Sequence, residues 1–129
     1  MKTSFECSLI LPVSAEKVFT AWLDSELHCY MTGGEAHCSD KVGEHFTAWD
    51  GYIQGKNLAI ETNKMIRQSW RTSNFEEGQE DSIITVKFKD TESGVQITLI
   101  HEDIPEGQPD YQQGWEEYYF EPMKVFFGN

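Results

Sequence analysis

Basic residues are scarce in this sequence. Its 129 residues include 10 Lys and Arg against 22 Asp and Glu, which gives a formal net charge of −12. Phosphate backbones and anionic lipid surfaces repel a protein of this charge on average. We therefore expect no nucleic-acid partner.

Long apolar runs are also missing. No stretch approaches the roughly 20 apolar residues that a membrane-spanning helix needs. The apolar run from Leu9 to Leu11 is short, Glu6 precedes it and no small-residue cleavage site follows it, so it does not read as a signal peptide. The sequence thus predicts no membrane insertion and a soluble, cytoplasmic protein.

Cysteine is too rare for a disulfide framework. The three cysteines, Cys7, Cys29 and Cys38, are an odd number that fits free thiols in a reducing compartment. Two of them follow histidines, in the pairs His28-Cys29 and His37-Cys38. Adjacent side chains point apart, whereas zinc ligands are usually separated by about two to four residues so that one turn aims both at the ion. We expect no metal.

Recognisable catalytic and cofactor motifs are absent from the sequence as well. It contains no HExxH metal motif, no glycine-rich phosphate loop, no dinucleotide fingerprint and no Ser-His-Asp arrangement. We expect no cofactor and assign no catalytic residue. His101, with Asp103 two residues on, is a candidate for acid–base chemistry, although a core histidine bonded to the backbone or to a tyrosine is the commoner outcome.

The N-terminal quarter combines a strand with two short helices. Residues 3 to 11 alternate apolar and polar side chains until Pro12, which predicts a half-buried strand. Ser14 is a plausible N-cap for a helix over about residues 15–23, and Asp24 can cap a second helix that ends at a glycine pair.

The middle of the chain, from Val42 to Asp103, has the pattern of successive strands joined by turns, which predicts an antiparallel meander. The acidic loop 74–81 should be an exposed hairpin end. We expect the basic side chains of Arg67 and Arg71 to balance acidic side chains. Strand alternation places the following residues on shared, mostly apolar faces: Ile66, Gln68, Trp70, Ile84, Val86, Phe88, Val95, Ile97, Leu99 and His101.

The chain closes with the aromatic stretch GWEEYYFEPMKVFF. It predicts a helix from about Asp110 or Gln112 to Phe127, with a kink at Pro122. Its apolar stripe comprises Trp115, Tyr119, Met123 and Phe126. Because such a stripe must be buried, and the sheet is the available surface, the fold is predicted to be α+β, one long helix against one curved sheet.

Three stretches resemble a known family: VGEHFTAWDGYIQG, MIRQSWR and IHEDIPEGQPDYQQGWEEYYFEPMKVFFG. They look like the C-terminal domain of the activator of heat-shock protein 90 ATPase, in the START-like (SRPBCC) superfamily. The resemblance extends from about residue 13 to 128, and the pattern from Gly114 to Gly128 is its most specific part. A departure is Gly43-Glu44, where the family usually has two glycines.

What the resemblance implies is a single START-like domain over residues 1–129. It would have the helix-grip fold of the birch-pollen allergen, an antiparallel curved sheet around a long C-terminal helix with two short N-terminal helices. Members of the superfamily often enclose an apolar cavity between sheet and helix.

Our leading functional prediction is a non-catalytic domain that binds a small apolar ligand in such a cavity. Buried Trp and Tyr side chains bring polar groups into an apolar setting, which is typical of small-molecule sites. The predicted lining residues are Trp70, Phe88, Leu99, His101, Trp115, Tyr118, Tyr119 and Met123. The alternatives are a chaperone-associated interaction module of the heat-shock protein 90 ATPase activator type, and an enzyme of the superfamily that uses the same cavity.

Overall fold

A computed structural model of the chain describes residues 2–128. The elements in chain order are β1 Thr3–Leu11, α1 Ala15–Leu23, α2 Ser25–Thr32, β2 His45–Ala48, β3 Ile53–Glu61, β4 Met65–Thr72, β5 Ser82–Thr91, β6 Gly94–Ile104, and a C-terminal helix made of α3 Tyr111–Trp115, a π-helical turn Glu116–Phe120 and α4 Glu121–Phe127.

The two N-terminal helices begin at the predicted caps. The Ser14 side chain accepts a hydrogen bond from the backbone N–H of Lys17 at 3.3 Å. The Asp24 carboxylate accepts one from the N–H of Leu27 at 2.9 Å. Gly33 ends α2 with φ at +90°, a left-handed conformation that costs glycine little.

The strands form one antiparallel sheet in the order β1-β6-β5-β4-β3-β2. The predicted meander runs from β2 to β6, and β1 adds to the far edge beside β6. The side chains that alternation assigned to the inner faces of β4, β5 and β6 are all buried. The predicted α+β helix-grip fold is thereby confirmed.

Gln68, a polar exception on the inner face, lies in a buried hydrogen-bond network. Its Nε2 donates to Asn57 Oδ1 at 2.9 Å, and its Oε1 accepts from Trp22 Nε1 at 3.5 Å. Asn57 in turn donates to the backbone oxygen of Ser39 at 2.8 Å. These bonds satisfy groups that would be costly to bury alone, and they connect α1 to β3 and β4.

The C-terminal helix contains a π-helical turn where a kink was predicted. The N–H of Glu121 bonds to the oxygen of Glu116, one residue further back than in an α-helix. Pro122 then lies in the first turn of α4, where its missing N–H leaves the following α-helical bonds intact. The wider turn thus accommodates the proline.

The same π-helical turn corrects the predicted apolar stripe. The buried stripe consists of Tyr111, Trp115, Tyr119, Met123 and Phe127, spaced by four positions, and Phe120 is buried as well, whereas Phe126 is 41% exposed. A spacing of four exceeds the ~3.6 residues of an α-helical turn because the π-helical turn takes up extra residues. The prediction assumed a uniform α-helix and therefore placed Phe126 inside.

The loop before β5 is mostly exposed, as predicted, with Gln79 and Asp81 half-buried and Phe75 buried. That ring is buried, and the Arg71 guanidinium carbon lies 5.2 Å from its centroid. Arg71 also forms an ion pair with Asp81 at 2.8 Å, so this arginine does balance an acidic side chain.

Within residues 2–128, the helices are all too short or too polar to cross a membrane.

Candidate functional site

A cleft of about 380 Å³ opens between the tip of the β2–β3 hairpin and the first half of the C-terminal helix. The β2–β3 hairpin contributes Trp49, Tyr52 and Ile53, and β4 contributes Trp70. The opposite wall consists of Pro109 and Asp110 before the helix and of the helix residues Tyr111, Gly114, Trp115, Tyr118 and Tyr119. The two walls are mostly aromatic.

Half of the predicted lining residues lie at this cleft. Trp70, Trp115, Tyr118 and Tyr119 line it, and Tyr118 is 55% exposed at its mouth. The other four, Phe88, Leu99, His101 and Met123, are buried in the core and do not line it. Strand and helix periodicity predict that these four face the interior, but they do not distinguish a side chain that fills the core from one that lines the cleft.

Trp49 reaches the cleft from a strained turn between β2 and β3. Trp49, Asp50 and Gly51 all have positive φ, at +50°, +60° and +89°. The Asp50 carboxylate accepts from the N–H of Glu35 at 2.9 Å, and this bond ties the turn to the segment after α2. A Cβ on Gly34 would lie 2.6 Å from a carbon of the Trp49 ring, so the indole fits in this position only because residue 34 has no side chain.

The Trp49 indole nitrogen is buried and, among the described residues, has no hydrogen-bond partner. Its ring meets Tyr118 edge-on, with centroids 5.6 Å apart. A buried N–H left unpaired costs about 1–3 kcal/mol, and roughly 90% or more of buried polar groups in proteins are paired.

A polar network forms the rim of the cleft. The Tyr111 hydroxyl donates to Gln108 Oε1 at 2.7 Å and therefore accepts from Thr72 Oγ1, also at 2.7 Å. The Tyr52 hydroxyl accepts from Asn74 Nδ2 at 2.6 Å. Burial is the main cause that raises the pKa of Tyr111 to about 12. The network holds the loop before the C-terminal helix against the end of β4.

His101 supports the cleft from behind. Trp115 Nε1 donates to its Nδ1 at 3.0 Å, and its Nε2 lies 2.9 Å from Ser82 Oγ, which donates to the backbone oxygen of Trp70. Burial lowers the pKa of His101 to about 3, so the imidazole is neutral at physiological pH. With no exposed surface, His101 positions two wall residues and does not contact a ligand in the cleft.

A second buried histidine, His28, supports the same wall from the other side. Its Nδ1 lies 2.8 Å from the backbone oxygen of Trp22, and its Nε2 lies 2.8 Å from the Tyr119 hydroxyl. Burial lowers the pKa of His28. No pattern in the sequence predicts this contact, because His28 and Tyr119 are 91 positions apart.

The sequence analysis did not predict the lining residues on the hairpin side of the cleft. Asp50-Gly51 is a recognisable turn signal, and the aromatic residues beside it, Trp49 and Tyr52, were available as a clue. Their direction depends on the positive φ values of the turn, which strand alternation does not predict.

No group of three or more His, Cys, Asp or Glu side chains in residues 2–128 is arranged to hold a metal ion. In the first His-Cys pair, the His28 nitrogens bond within the protein, and Cys29 Sγ accepts from the N–H of Ala36 at 3.1 Å.

Comparison with known proteins identifies relatives over nearly the whole chain. The family model described as "Activator of Hsp90 ATPase homolog 1-like protein" matches residues 12–128. The activator of 90 kDa heat shock protein ATPase homolog 1 of Mus musculus is 28% identical over 116 residues, which are 89% of this chain and 34% of that protein. An uncharacterised protein of Schizosaccharomyces pombe is 34% identical over 84 residues, 64% of this chain and 25% of the relative.

The fold is shared with a crystal structure of an HSP90 activator from Plasmodium falciparum. The TM-score is 0.86 at 25% identity, and the match covers 97% of this chain and 96% of that one. By contrast, this chain spans only a quarter to a third of the length of the two curated relatives.

Proposed function

This chain belongs to the family of Activator of Hsp90 ATPase homolog 1-like proteins, and we propose that it is a single START-like domain that binds a small apolar ligand in the cleft, without catalysis. The observation that carries the proposal is the cleft itself. Its volume of about 380 Å³ lies in the range of small-molecule sites, roughly 300–1,000 Å³.

The chemistry of the walls supports the same proposal. Aromatic rings supply most of the lining, and the indole N–H of Trp49 adds a donor without a partner in the described part of the chain. Apolar walls with a few fixed polar groups favour a ligand whose body is apolar and whose orientation depends on one or two hydrogen bonds.

Native mass spectrometry of the protein purified from its own cells, followed by solvent extraction, tests this function. We expect a discrete small mass on the protein. The Gly114→Leu variant should lose it, because Gly114 lines the cleft and a Cβ there meets nothing within 4 Å, so added volume enters at the wall without a clash.

The matched control is Gln112→Leu, an exposed position in the same helical turn that does not line the cleft. It should retain the ligand. A bare mass for the native protein, also after incubation with a cell extract of lipids and metabolites, would contradict the proposal.

A second candidate function is a protein-interaction module that contacts a chaperone. The observation in its favour is the match to the HSP90 activator of Plasmodium falciparum, which covers almost all of both chains. With a net charge of −12, the chain would bind a basic surface of the partner, and the affinity would fall with salt.

The chaperone candidate is tested with the 90 kDa heat shock protein of the same organism. We would measure binding at low and high salt, and the ATPase rate with and without this chain. Unchanged ATPase rate and no measurable binding at low salt would reject it, and neither result depends on the cleft being occupied.

A further inference from the structure

The charged lining of the cleft is acidic and not basic. Among the described residues that line it, Asp110 is the one with a charged side chain, and none is a lysine or arginine. Seven of the eleven lining residues are aromatic: Trp49, Tyr52, Trp70, Tyr111, Trp115, Tyr118 and Tyr119.

The faces of aromatic rings carry negative electrostatic potential. Rings gathered around a space attract cations, and Trp and Tyr do so better than an aliphatic wall of equal area. Trp70 and Trp115 lie with centroids 5.6 Å apart, and Trp49 and Tyr118 lie 5.6 Å apart nearer the mouth. The first pair is tilted, with an interplanar angle of 37°, and the second is edge-on, at 74°.

Asp110 adds a full negative charge at the rim. Its Oδ1 accepts a hydrogen bond from the N–H of Gln113 at 3.2 Å, and the side chain is otherwise exposed. Arg71 lies next to Trp70 in β4, but its guanidinium is paired with Asp81 and stacked on Phe75. It therefore does not neutralise the cleft.

We propose that the ligand of this cleft is an organic cation, a substituted ammonium group on an apolar body. The inference rests on the proposed ligand-binding function and specifies its chemical class. A neutral apolar molecule would gain nothing from Asp110 or from the ring quadrupoles. An anion would be repelled by both, and by the net charge of −12.

Two probes of nearly the same shape separate charge from hydrophobic burial. Benzyltrimethylammonium carries a quaternary nitrogen, and neopentylbenzene has carbon in its place. Titration of each, followed by the indole N–H signals of the four tryptophans in two-dimensional NMR, gives both affinities. From the strength of cation–π contacts, we expect the cation to bind about three- to thirtyfold more tightly.

Two cleft variants and one charge control assign the preference to the cleft. Asp110→Asn removes the charge and keeps an oxygen to cap Gln113, and should weaken benzyltrimethylammonium about threefold at low salt with neopentylbenzene unchanged. Glu92→Gln, in the turn before β6, also removes one negative charge but lies outside the cleft. It should change neither affinity. Tyr118→Leu removes an exposed ring and should weaken the cation more than its neutral counterpart.

The outcomes separate this inference from the function on which it rests. If neopentylbenzene shifts the Trp49 and Trp115 signals with equal or higher affinity, the cleft binds apolar ligands and the cation proposal is overturned. If neither probe shifts any indole signal up to its solubility limit, both proposals fail.

Discussion

Trp115 Nε1 donates a hydrogen bond to Nδ1 of His101 at 3.0 Å, and the bond fixes the state of the histidine. An indole N–H is a donor only, so Nδ1 must be the acceptor and the proton of the neutral ring lies on Nε2. From Nε2 it is donated to Ser82 Oγ, 2.9 Å away. His101, an acid–base candidate in the sequence, is thus a residue that positions Trp115 in the wall of the cleft.

We predict that the two buried histidines are neutral and in opposite tautomers. At His28, Nδ1 faces the backbone oxygen of Trp22, so it must carry the proton, and Nε2 accepts from Tyr119. Long-range ¹H–¹⁵N NMR at neutral pH should show protonated Nδ1 at His28 and protonated Nε2 at His101.

Tyr119→Phe is the control for this assignment. The substitution removes the donor to His28 Nε2 and should leave the NMR signals of the His101 ring unchanged. It should lower the free energy of unfolding by about 1–3 kcal/mol, because a buried acceptor loses its partner. Two identical tautomers in the native protein would contradict these hydrogen-bond directions.

Stability should fall as the pH falls below the ordinary histidine range. Burial lowers the pKa of His101 from 6.5 to about 3 in the folded protein, so between these values the unfolded chain binds the extra proton. His101 then contributes a slope of up to about 1.4 kcal/mol per pH unit, with stability present above about pH 6.5 and lost toward acid.

Urea denaturation at several pH values, compared with His101→Asn, measures this slope. The carboxylates and His28 titrate in both proteins, so the difference in slope isolates His101. Asn keeps an acceptor near the Nδ1 position, which gives the variant its best chance to stay folded. Equal slopes in the two proteins would show that His101 does not carry the effect.

The sequence predicted the sheet and both helical regions because each depends on local rules. Ser14 and Asp24 cap helices through bonds to residues three positions away, and strand alternation put Leu99 inside. The cleft depends on distant packing. Whether an inward residue lines a space or fills it depends on how closely the helix approaches, so Leu99 and Trp70 could not be told apart.

The position of Trp49 in the cleft should depend on Gly34. A Cβ at residue 34 would lie 2.6 Å from the indole, so Gly34→Ala should displace the ring, change the near-ultraviolet circular dichroism and cost about 1–3 kcal/mol of unfolding free energy.

A double-mutant cycle with Trp49→Leu tests whether the cost arises from this contact. In the Trp49→Leu background, Gly34→Ala should lose most of its effect, because the indole that it meets is gone. Additive costs would place the origin elsewhere in the segment after α2.

Cys7 and Cys38 should react slowly with alkylating reagents in the folded protein. Burial is the main cause that raises the pKa of the Cys7 thiol to about 11, with Glu116 and Glu6 adding to it, and burial raises that of Cys38 to about 12. Only the thiolate attacks, so a rise of the Cys7 pKa from 9.0 to about 11 lowers the reactive fraction of this thiol about a hundredfold at mildly alkaline pH.

Mass spectrometry of iodoacetamide-treated protein, native and in urea, measures the alkylation of each cysteine. Glu116→Gln should speed alkylation of Cys7 and leave Cys38 unchanged, whereas native rates equal to those in urea would mean that neither thiol is held protonated by its surroundings.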